Sequence, residues 1–399
     1  KDINMLSRQQ VLDNIPKVIE ALADNSRVSG TTHSFYRYPA RFSPLFVEAA
    51  INAFTDPGDV VYDPFMGGGT TLVESMRLGR KGVGTDVNSL SVFISQVKTT
   101  IYSDRDIDAI RRWVQRAQSV LKLNQEPERA YDWIAQGYQR NISSRATWPI
   151  RKTLEIALND IQALQSKKQR DFIRCLLLNT TQWALDCRKH PPSAQAFRKQ
   201  LVVHAEDMIN GALSLRKEFS AGDCLSPDCL HLSACDIGNS DIYNSIARPK
   251  LILTSPPYPG VHVLYHRWQV NGRKETPAPY WIANCLDGNG TAYYTFGERT
   301  QKTLQNYFDK MRLCYKALST VADGNTLLVQ LVAFSSPEWQ LPLFLDVLRE
   351  CGFSEVLLDD HPSVSDGRSW RTVPNRKFYA DRKGHTPSSK EVLLVHQLA

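Results

Sequence analysis

Several features that would assign this chain to a familiar class of protein are missing from its sequence. No run of apolar residues approaches the roughly 20 that cross a bilayer, although 42% of the 399 residues are hydrophobic. The eight cysteines are scattered, without the density of a secreted disulfide scaffold. No internal repeat, low-complexity tract or signal peptide is apparent. We therefore expect a soluble globular protein from a reducing, cytoplasmic setting.

A strong excess of charge of one sign is also lacking. Lys and Arg total 48 and Asp and Glu total 41, which gives a formal net charge of +7. So small an excess predicts that any nucleic-acid surface is a local patch, not the whole protein.

One apolar run ends abruptly in a stiff loop. Leu251–Leu253 is typical of a buried strand in a parallel sheet. Pro256 and Pro257 end this strand, because neither can donate to the ladder. Open α/β sheets bind ligands at the carboxyl ends of their strands. The Ser255 hydroxyl and nearby carbonyls would serve there as acceptors for an exocyclic amino group, and Tyr258 would stack on a base. The alternative is a plain proline-rich turn.

A second stretch predicts a strand, a glycine-rich turn and a helix. Val60–Asp63 reads as the strand, residues 67–69 permit a tight turn, and Thr70 and Thr71 begin the helix. The next strand ends at Asp86, 23 residues after Asp63. At this spacing a carboxylate holds ribose hydroxyls in nucleotide-binding βαβ units. No Gly-Lys-Thr ending follows the glycines, so a phosphate-cradling P-loop is not indicated.

These two stretches resemble motifs of the DNA amino-methyltransferases, which use S-adenosylmethionine. The motifs are Asp63-Pro-Phe-Met-Gly-Gly-Gly-Thr-Thr71 and Thr254-Ser-Pro-Pro-Tyr258, and Tyr38-Pro-Ala-Arg-Phe-Ser-Pro44 resembles an additional cofactor-binding element of the family. The resemblance covers about residues 31–103 and 221–399. It implies an α/β fold, a Rossmann-like class I methyltransferase with a mostly parallel seven-stranded sheet and a helical insertion. Members with serine before Pro-Pro-Tyr are mostly N4-cytosine methyltransferases.

The resemblance also implies which residues form the site. In that family an acid holds the ribose, here Asp86, and another contacts the adenine, here Asp236, with Asp223 as a weaker rival. The implied catalytic residues are Ser255, Pro256, Pro257 and Tyr258. The implied cofactor-binding residues are Tyr38, Pro39, Phe42, Asp63, Pro64, Phe65, Gly67, Gly69, Thr70, Thr71, Asp86, Asp236 and Thr254.

A cysteine- and histidine-containing segment superficially suggests zinc. Cys224, Cys229, His231 and Cys235 have spacings compatible with a metal site. The same segment also reads as a strand, 230–235, that ends in Asp236, and we therefore predict no metal.

Aromatic and basic residues interleave after the proline loop and recur near the C-terminus. Such mixtures suit base stacking and phosphate contacts. Packed or solvated loops are the alternative, as they are for the basic loops at 143–149 and 188–192. The predicted nucleic-acid-binding residues are Tyr265, His266, Arg267, Trp268, Arg273, Arg371 and Arg376.

The chain divides into four predicted segments. Residues 1–30 form an N-terminal helical segment, and 31–103 form the first, cofactor-binding part of the catalytic domain. Residues 104–220 form a helical insertion, and either this insertion or the 261–300 loop is expected to recognise the target. Residues 221–399 supply the Ser-Pro-Pro-Tyr loop and the rest of the sheet.

The expected reaction is methyl transfer to the N4 of a cytosine flipped out of double-stranded DNA. Methylation at C5 would require the Pro-Cys pair that carries the nucleophile in the C5 family, and this chain has none. Three alternatives stay open: an N6-adenine DNA methyltransferase, an RNA amino-methyltransferase, and a catalytically silent DNA-binding subunit. The expected partners are double-stranded DNA and a cognate restriction endonuclease or defence-system proteins, with no membrane.

Overall fold

Periodic apolar residues and local caps divide the chain into alternating helices and strands. The computed structural model describes residues 7–24, 30–38, 42–128, 130–221, 225–239, 248–258, 267–271, 274–288, 301–334, 336–358, 361–372 and 390–398. The helices are α1 Arg8–Leu22, α2 Pro44–Phe54, α3 Thr70–Arg77, α4 Ser89–Lys98, α5 Asp104–Val120, α6 Tyr131–Ala135, α7 Trp148–Asp160, α8 Lys167–Leu185, α9 Ala194–Ala221, α10 Ala278–Ala283, α11 Gln301–Val321 and α12 Pro337–Glu350.

The strands form one large sheet and one small hairpin. They are β1 Val60–Asp63, β2 Lys81–Asp86, β3 Asp228–His231, β4 Leu251–Thr254, β5 Trp268–Val270, β6 Lys274–Thr276, β7 Leu327–Ala333, β8 Phe353–Glu355, β9 Val364–Ser365, β10 Arg368–Thr372 and β11 Lys390–Leu398. The large sheet runs β3-β2-β1-β4-β7-β11-β10-β9, with β8 also on β11, and β5 pairs with β6 separately.

The α/β class is confirmed, but the seven-stranded, mostly parallel sheet is wrong in detail. The sheet has nine strands among the described residues. β3, β2, β1, β4 and β7 pair in parallel. β11 is antiparallel to β7, β8 and β10, and β9 is antiparallel to β10. The sheet is therefore mixed, with a parallel half that holds the predicted site and an antiparallel half that extends it.

The β9–β10 hairpin explains part of this difference. Asp366 and Gly367 have φ of +55° and +70°, and they join Ser365 to Arg368 as the two turn residues. Positive φ at both central positions is the geometry of a tight hairpin turn, and Asp-Gly is a strong signal for it. The two short strands of this hairpin were not predicted.

Alternate residues of the central strands face two separate helical layers. Val61, Leu251 and Leu253 pack with α1 and α2, whereas Tyr62 and Ile252 pack with α11 and α12. Burial on both faces accounts for the continuous apolar character of these strands. The buried face of α1 is the one that its helical spacing predicts, so the N-terminal segment is part of the same core.

The helical patterning of residues 104–220 corresponds to α5, α7, α8 and α9. These helices share one core cluster with α4, Tyr36, Tyr38 and Trp268. The insertion is thus packed against both the cofactor half and the segment that follows the proline loop. Within the described residues, no helix is long and apolar enough to cross a membrane.

The turn before α3 depends on glycine at position 69. Gly69 has φ of +75°, and a Cβ built on it would lie 2.5 Å from Ser95 Oγ and 3.2 Å from Ser95 Cα. Both the left-handed backbone and the close approach of α4 exclude a side chain there.

We expect Gly69→Ala to destabilise the protein more than Gly58→Ala. Gly58 has φ of +89° with nothing within 4 Å of its built Cβ, so alanine there adds only backbone strain of about 1–2 kcal/mol. Gly69→Ala adds a clash that should raise the loss by at least about 1 kcal/mol. Urea unfolding of both variants measures the difference, and equal losses would show that α4 yields to the added methyl group.

Candidate active site

The two sequence motifs meet at the carboxyl edge of the parallel strands. β4, β1 and β2 are neighbours, so Thr254, Asp63 and Asp86 end side by side. Asp63 accepts hydrogen bonds from Thr254 Oγ1 at 2.7 Å, Thr71 Oγ1 at 2.8 Å and the Phe65 amide at 3.1 Å. One carboxylate therefore ties the glycine turn, the start of α3 and the end of β4 together.

Asp63 faces the protein interior. Its residue surface is 2% exposed. Burial raises the pKa of its carboxyl to about 6, although the three hydrogen bonds counteract part of that rise. The Asp63 side chain therefore lies behind the predicted cofactor site and acts as a brace, because its hydrogen bonds hold the surrounding segments in place.

Asp86 lies at the rim of the same edge and is half-buried. One carboxylate oxygen accepts from the Gly67 amide at 3.0 Å and Ser91 Oγ at 2.9 Å, and the other accepts from the Asn88 amide at 2.9 Å. Burial raises the pKa of Asp86, and these donors oppose the rise. Since a carboxylate offers about four acceptor positions, Asp86 has capacity for one further hydroxyl donor.

The glycine turn is held from behind by α4. Ser91 Oγ lies 2.6 Å from the Gly67 carbonyl and shares its one proton between that carbonyl and Asp86, and the fully buried Lys98 donates to the Gly68 carbonyl at 2.7 Å. On the other side, the Tyr38 ring lies 3.2 Å from a Cβ built on Gly67. Tyr38 and Gly67, which were both predicted to bind the cofactor, thus lie together, while Pro39 lies outside the described residues. Ser91 and Lys98 were not predicted, because no local signal marks them.

The remaining predicted cofactor residues divide by position. Pro64, Phe65, Thr70 and Thr71 belong to the turn and the start of α3, with Thr70 and Thr71 buried. Phe42 is 8% exposed and packs on Phe46 of α2 at 5.5 Å between ring centroids. The structure therefore places Phe42 in the core and not at the edge of the sheet.

The strand predicted to end in Asp236 is wrong. β3 ends at His231, and Asp236 lies exposed in a 3-10 helix over Ala234–Asn239. Within the part of the chain that is described, Cys229 contacts Thr99 at 4.0 Å, His231 contacts the Val87 carbonyl at 2.9 Å, and Cys235 contacts the Lys310 carbonyl at 3.8 Å. Asp223 and Cys224 lie outside the described residues.

The proline loop continues into a chain of polar contacts. Ser255 Oγ lies 3.1 Å from Tyr258 Oη, which donates to Glu391 Oε1 at 2.6 Å. The other oxygen of Glu391 accepts from Arg371 Nε at 2.9 Å. Tyr307 Oη donates to the Pro257 carbonyl at 2.8 Å and fixes the loop from a second side.

The order of donors in this chain determines what Ser255 can do. A carboxylate only accepts hydrogen bonds, so the Tyr258 hydroxyl proton points to Glu391. Tyr258 Oη is then an acceptor for the Ser255 hydroxyl proton. The lone pairs of Ser255 Oγ are left to accept from another group at the edge of the sheet. Because Ser255 is only half-buried, that group can approach from the part of the residue that faces solvent.

The structure contradicts an exposed stacking role for Tyr258 and three predicted nucleic-acid contacts. Tyr258 is 7% and Trp268 is 2% exposed, and Trp268 Nε1 donates to Tyr36 Oη at 3.0 Å. Arg267 pairs with Asp287 at 2.7 Å, and Arg371 pairs with Glu391 at 2.8 Å. Residue type predicted these contacts, but the side chains point inward. Tyr265, His266, Arg273 and Arg376 lie outside the described residues.

Comparison with known families supports the resemblance to DNA amino-methyltransferases. Residues 9–96 match a family described as DNA methylase, a stretch that contains the glycine turn and both acids. Type II methyltransferase M.MjaII of Methanocaldococcus jannaschii is 35% identical over 80 residues, which cover 20% of this chain and 14% of that protein. Type II methyltransferase M.BsoBI of Geobacillus stearothermophilus is 22% identical over 256 residues, which cover 57% and 49%.

The chain thus spans about half the length, or less, of these two relatives. The family match implies S-adenosylmethionine as the methyl donor. Among solved structures, an rRNA methyltransferase, aviRa from Streptomyces viridochromogenes, overlaps 91% of this chain and 89% of its own with a TM-score of 0.36 and 8% identity. So loose an overlap says nothing about the substrate of this chain.

We expect Asp63→Asn to change how stability depends on pH. An acid whose pKa is raised to about 6 binds more protons folded than unfolded between about pH 4 and 6. Its contribution to the free energy of unfolding therefore falls as pH rises through that window, by about 3 kcal/mol. The asparagine variant lacks this term, so it should gain stability relative to wild type as pH rises.

Urea unfolding at pH 4 and pH 7 measures that relative gain. Asp108→Asn is the matched control, because Asp108 is exposed on α5. If Asp63→Asn and wild type differ by the same amount at both pH values, the pKa of Asp63 is the same in the folded and unfolded protein, and burial does not raise it.

Proposed function

We propose that this protein is a site-specific DNA methyltransferase that transfers a methyl group from S-adenosylmethionine to the exocyclic N4 of cytosine in a flipped-out base. The observation that carries the proposal is the hydrogen bond of 2.7 Å from Thr254 to Asp63. It joins the cofactor-type turn and the Ser-Pro-Pro-Tyr loop at one edge of the sheet, where the two reactants of a methyl transfer must meet.

The residues at this edge fit the cofactor. Asp86 retains an acceptor position suited to a ribose hydroxyl, and Tyr38 and Gly67 bound the turn beside it. S-adenosylmethionine, when bound, supplies an electrophilic methyl group on sulfur. The chain's own contribution is to hold both reactants in place, which lowers the barrier by removing the entropy of encounter.

Ser255 would act on the amino group of the target base. Its oxygen, with its proton directed to Tyr258, accepts an N–H hydrogen bond from that group. This interaction draws the nitrogen lone pair out of conjugation with the ring, which makes the nitrogen a better nucleophile. The proton released after transfer can leave to solvent, so no histidine or cysteine is required.

Cytosine is favoured over adenine by the serine at position 255, since family members with serine there mostly modify N4 of cytosine. An N6-adenine enzyme would use the same residues. A role in restriction–modification or DNA defence, with a cognate endonuclease as partner, is part of the proposal. Relatives that carry the name type II methyltransferase favour this role.

The experiment that tests the proposal is incubation with mixed-sequence duplex DNA and methyl-labelled S-adenosylmethionine, followed by nucleoside mass spectrometry. N4-methylcytosine supports the proposal in full. N6-methyladenine would show that the target base is adenine and not cytosine. Label in RNA alone would show that the substrate is RNA and not DNA. Cofactor binding without any transfer would favour a silent DNA-binding subunit.

We expect Ser255→Ala to lower kcat by about 10²–10³-fold, the range for loss of one well-placed hydrogen-bond partner in a site. Tyr258→Phe removes the acceptor that orients the Ser255 proton. It should lower kcat by about 10-fold, equivalent to one hydrogen bond of about 1.4 kcal/mol. In both variants the Kd for the cofactor should stay near that of wild type.

Steady-state kinetics and calorimetric titration of the cofactor measure these effects. Tyr131→Phe is the matched control, because Tyr131 is 67% exposed. Equal losses of turnover and cofactor affinity would mean that the loop only supports the fold.

We expect Asp86→Ala to weaken cofactor binding by at least about 10-fold, because a charge-assisted hydrogen bond to the ribose contributes about 1.5–3 kcal/mol. The loss should appear in the Kd of the cofactor more than in kcat at saturation. Titration calorimetry measures it, with Asp108→Ala as control. Unchanged affinity would remove Asp86 from the site.

A further inference from the structure

Three segments that are distant in sequence meet on the β5–β6 hairpin. The Cys187 amide donates to the Gln269 carbonyl at 2.8 Å, and the Gln269 amide donates to Asp186 at 3.1 Å. From the other side, Asn141 Nδ2 donates to the Glu275 carbonyl at 2.7 Å, and Asn271 Nδ2 donates to the Asn141 carbonyl at 3.3 Å. We call residues 140–145, 186–190, 268–271 and 274–276 the hairpin surface.

Cations on the hairpin surface point to solvent. Arg140, Arg145, Lys189 and Lys274 are exposed, and none has an ion-pair partner within the described ranges. Arg188 is half-buried and lies over the Trp183 ring, with its guanidinium carbon 4.5 Å from the ring centroid.

The acids of the hairpin surface are already paired. Asp186 pairs with Arg37 at 2.9 Å, and Glu275 lies 3.8 Å from Arg267. The remaining charge on this surface is therefore positive, although the whole chain is only mildly basic. This is the local patch that the net charge of +7 requires of a nucleic-acid-binding protein.

The hairpin surface is connected to the candidate active site by two routes. Trp268 bonds to Tyr36, two residues before the Tyr38 ring that lies on Gly67. On the other route, Tyr280 Oη, on the helix after β6, donates to Asn88 at 3.1 Å, two residues after Asp86. Both routes place the hairpin beside the edge where the reaction is proposed.

We propose that the hairpin surface docks the phosphate backbone of duplex DNA next to the flipped base. The inference rests on the proposed function and identifies the part of the chain that holds its substrate. Lys and Arg bind phosphates through charge and hydrogen bonds. The exposed Ser143 adds a neutral hydroxyl donor of the kind that fixes the register of a duplex.

The test compares two triple variants of equal charge loss. The first is Arg145→Ala, Lys189→Ala and Lys274→Ala on the hairpin surface. The control is Arg112→Ala, Lys199→Ala and Lys217→Ala, which removes three exposed cations from α5 and α9. Binding of a fluorescent 30-base-pair duplex is measured at several KCl concentrations in the presence of S-adenosylhomocysteine, and methyl transfer to the same duplex is measured separately.

We expect the hairpin variant to bind DNA at least about 10-fold more weakly than the control. Each lost phosphate contact reduces the slope of log K against log salt by about 0.9, so the slope should fall by about 2 to 3. Calorimetric titration should show the cofactor Kd unchanged in both variants, which excludes a general folding defect.

Three results would overturn the inference. If wild type methylates DNA and both variants bind and turn over alike, the hairpin surface is only solvated and the proposed function stands. If the hairpin variant loses affinity for a matched RNA duplex, and wild type prefers that RNA, the partner is RNA. Absence of DNA binding and methyl transfer in wild type would overturn both the inference and the proposed function.

Discussion

The site depends on a single buried carboxylate. Asp63 accepts hydrogen bonds from the end of β4, from the start of α3 and from its own turn. Burial of a charged carboxylate in that position is unfavourable, and this desolvation raises the pKa of Asp63. The three hydrogen-bond donors offset part of this unfavourable free energy, and they fix the turn, the helix and the proline loop relative to one another. Without these hydrogen bonds, the glycine turn and the proline loop would lie on separate strands with nothing to fix their relative position.

A second constraint reaches the loop from the antiparallel half of the sheet. Glu391, on β11, accepts a hydrogen bond from the Tyr258 hydroxyl and is itself held by Arg371 on β10. The mixed sheet is therefore more than an extension of a parallel nucleotide-binding fold. Its antiparallel strands supply the charge that directs the Ser255 hydroxyl. Arg371 belongs to a basic segment whose composition suggests contact with DNA, but its side chain points inward and pairs with Glu391.

The sequence predicted what is local and missed what is long-range. Apolar runs and glycines located β1, β2, β4 and the turn before α3, and helical periodicity located the insertion. Residue type could not tell that Arg267 and Trp268 point inward, because their partners, Asp287 and Tyr36, are distant in the chain or in a different element. Lys98 and Glu391 carry no motif at all. Their roles come from the positions of Gly68 and Tyr258 in the folded protein, which no window of sequence contains.

The contact between Tyr258 and Glu391 has a consequence for the folding of the chain during its synthesis. The two residues are separated by 133 positions, and the acid lies on a strand that leaves the ribosome long after the proline loop. The Thr254–Asp63 contact spans even more of the chain, 191 positions, but both of its residues are synthesised before β11, so the parallel half of the sheet can assemble before Ser255 acquires its orientation. Nascent chains would therefore pass through a stage with a formed cofactor edge but an undirected serine. The orientation of the Ser255 hydroxyl would be completed last, when β11 pairs with its neighbours.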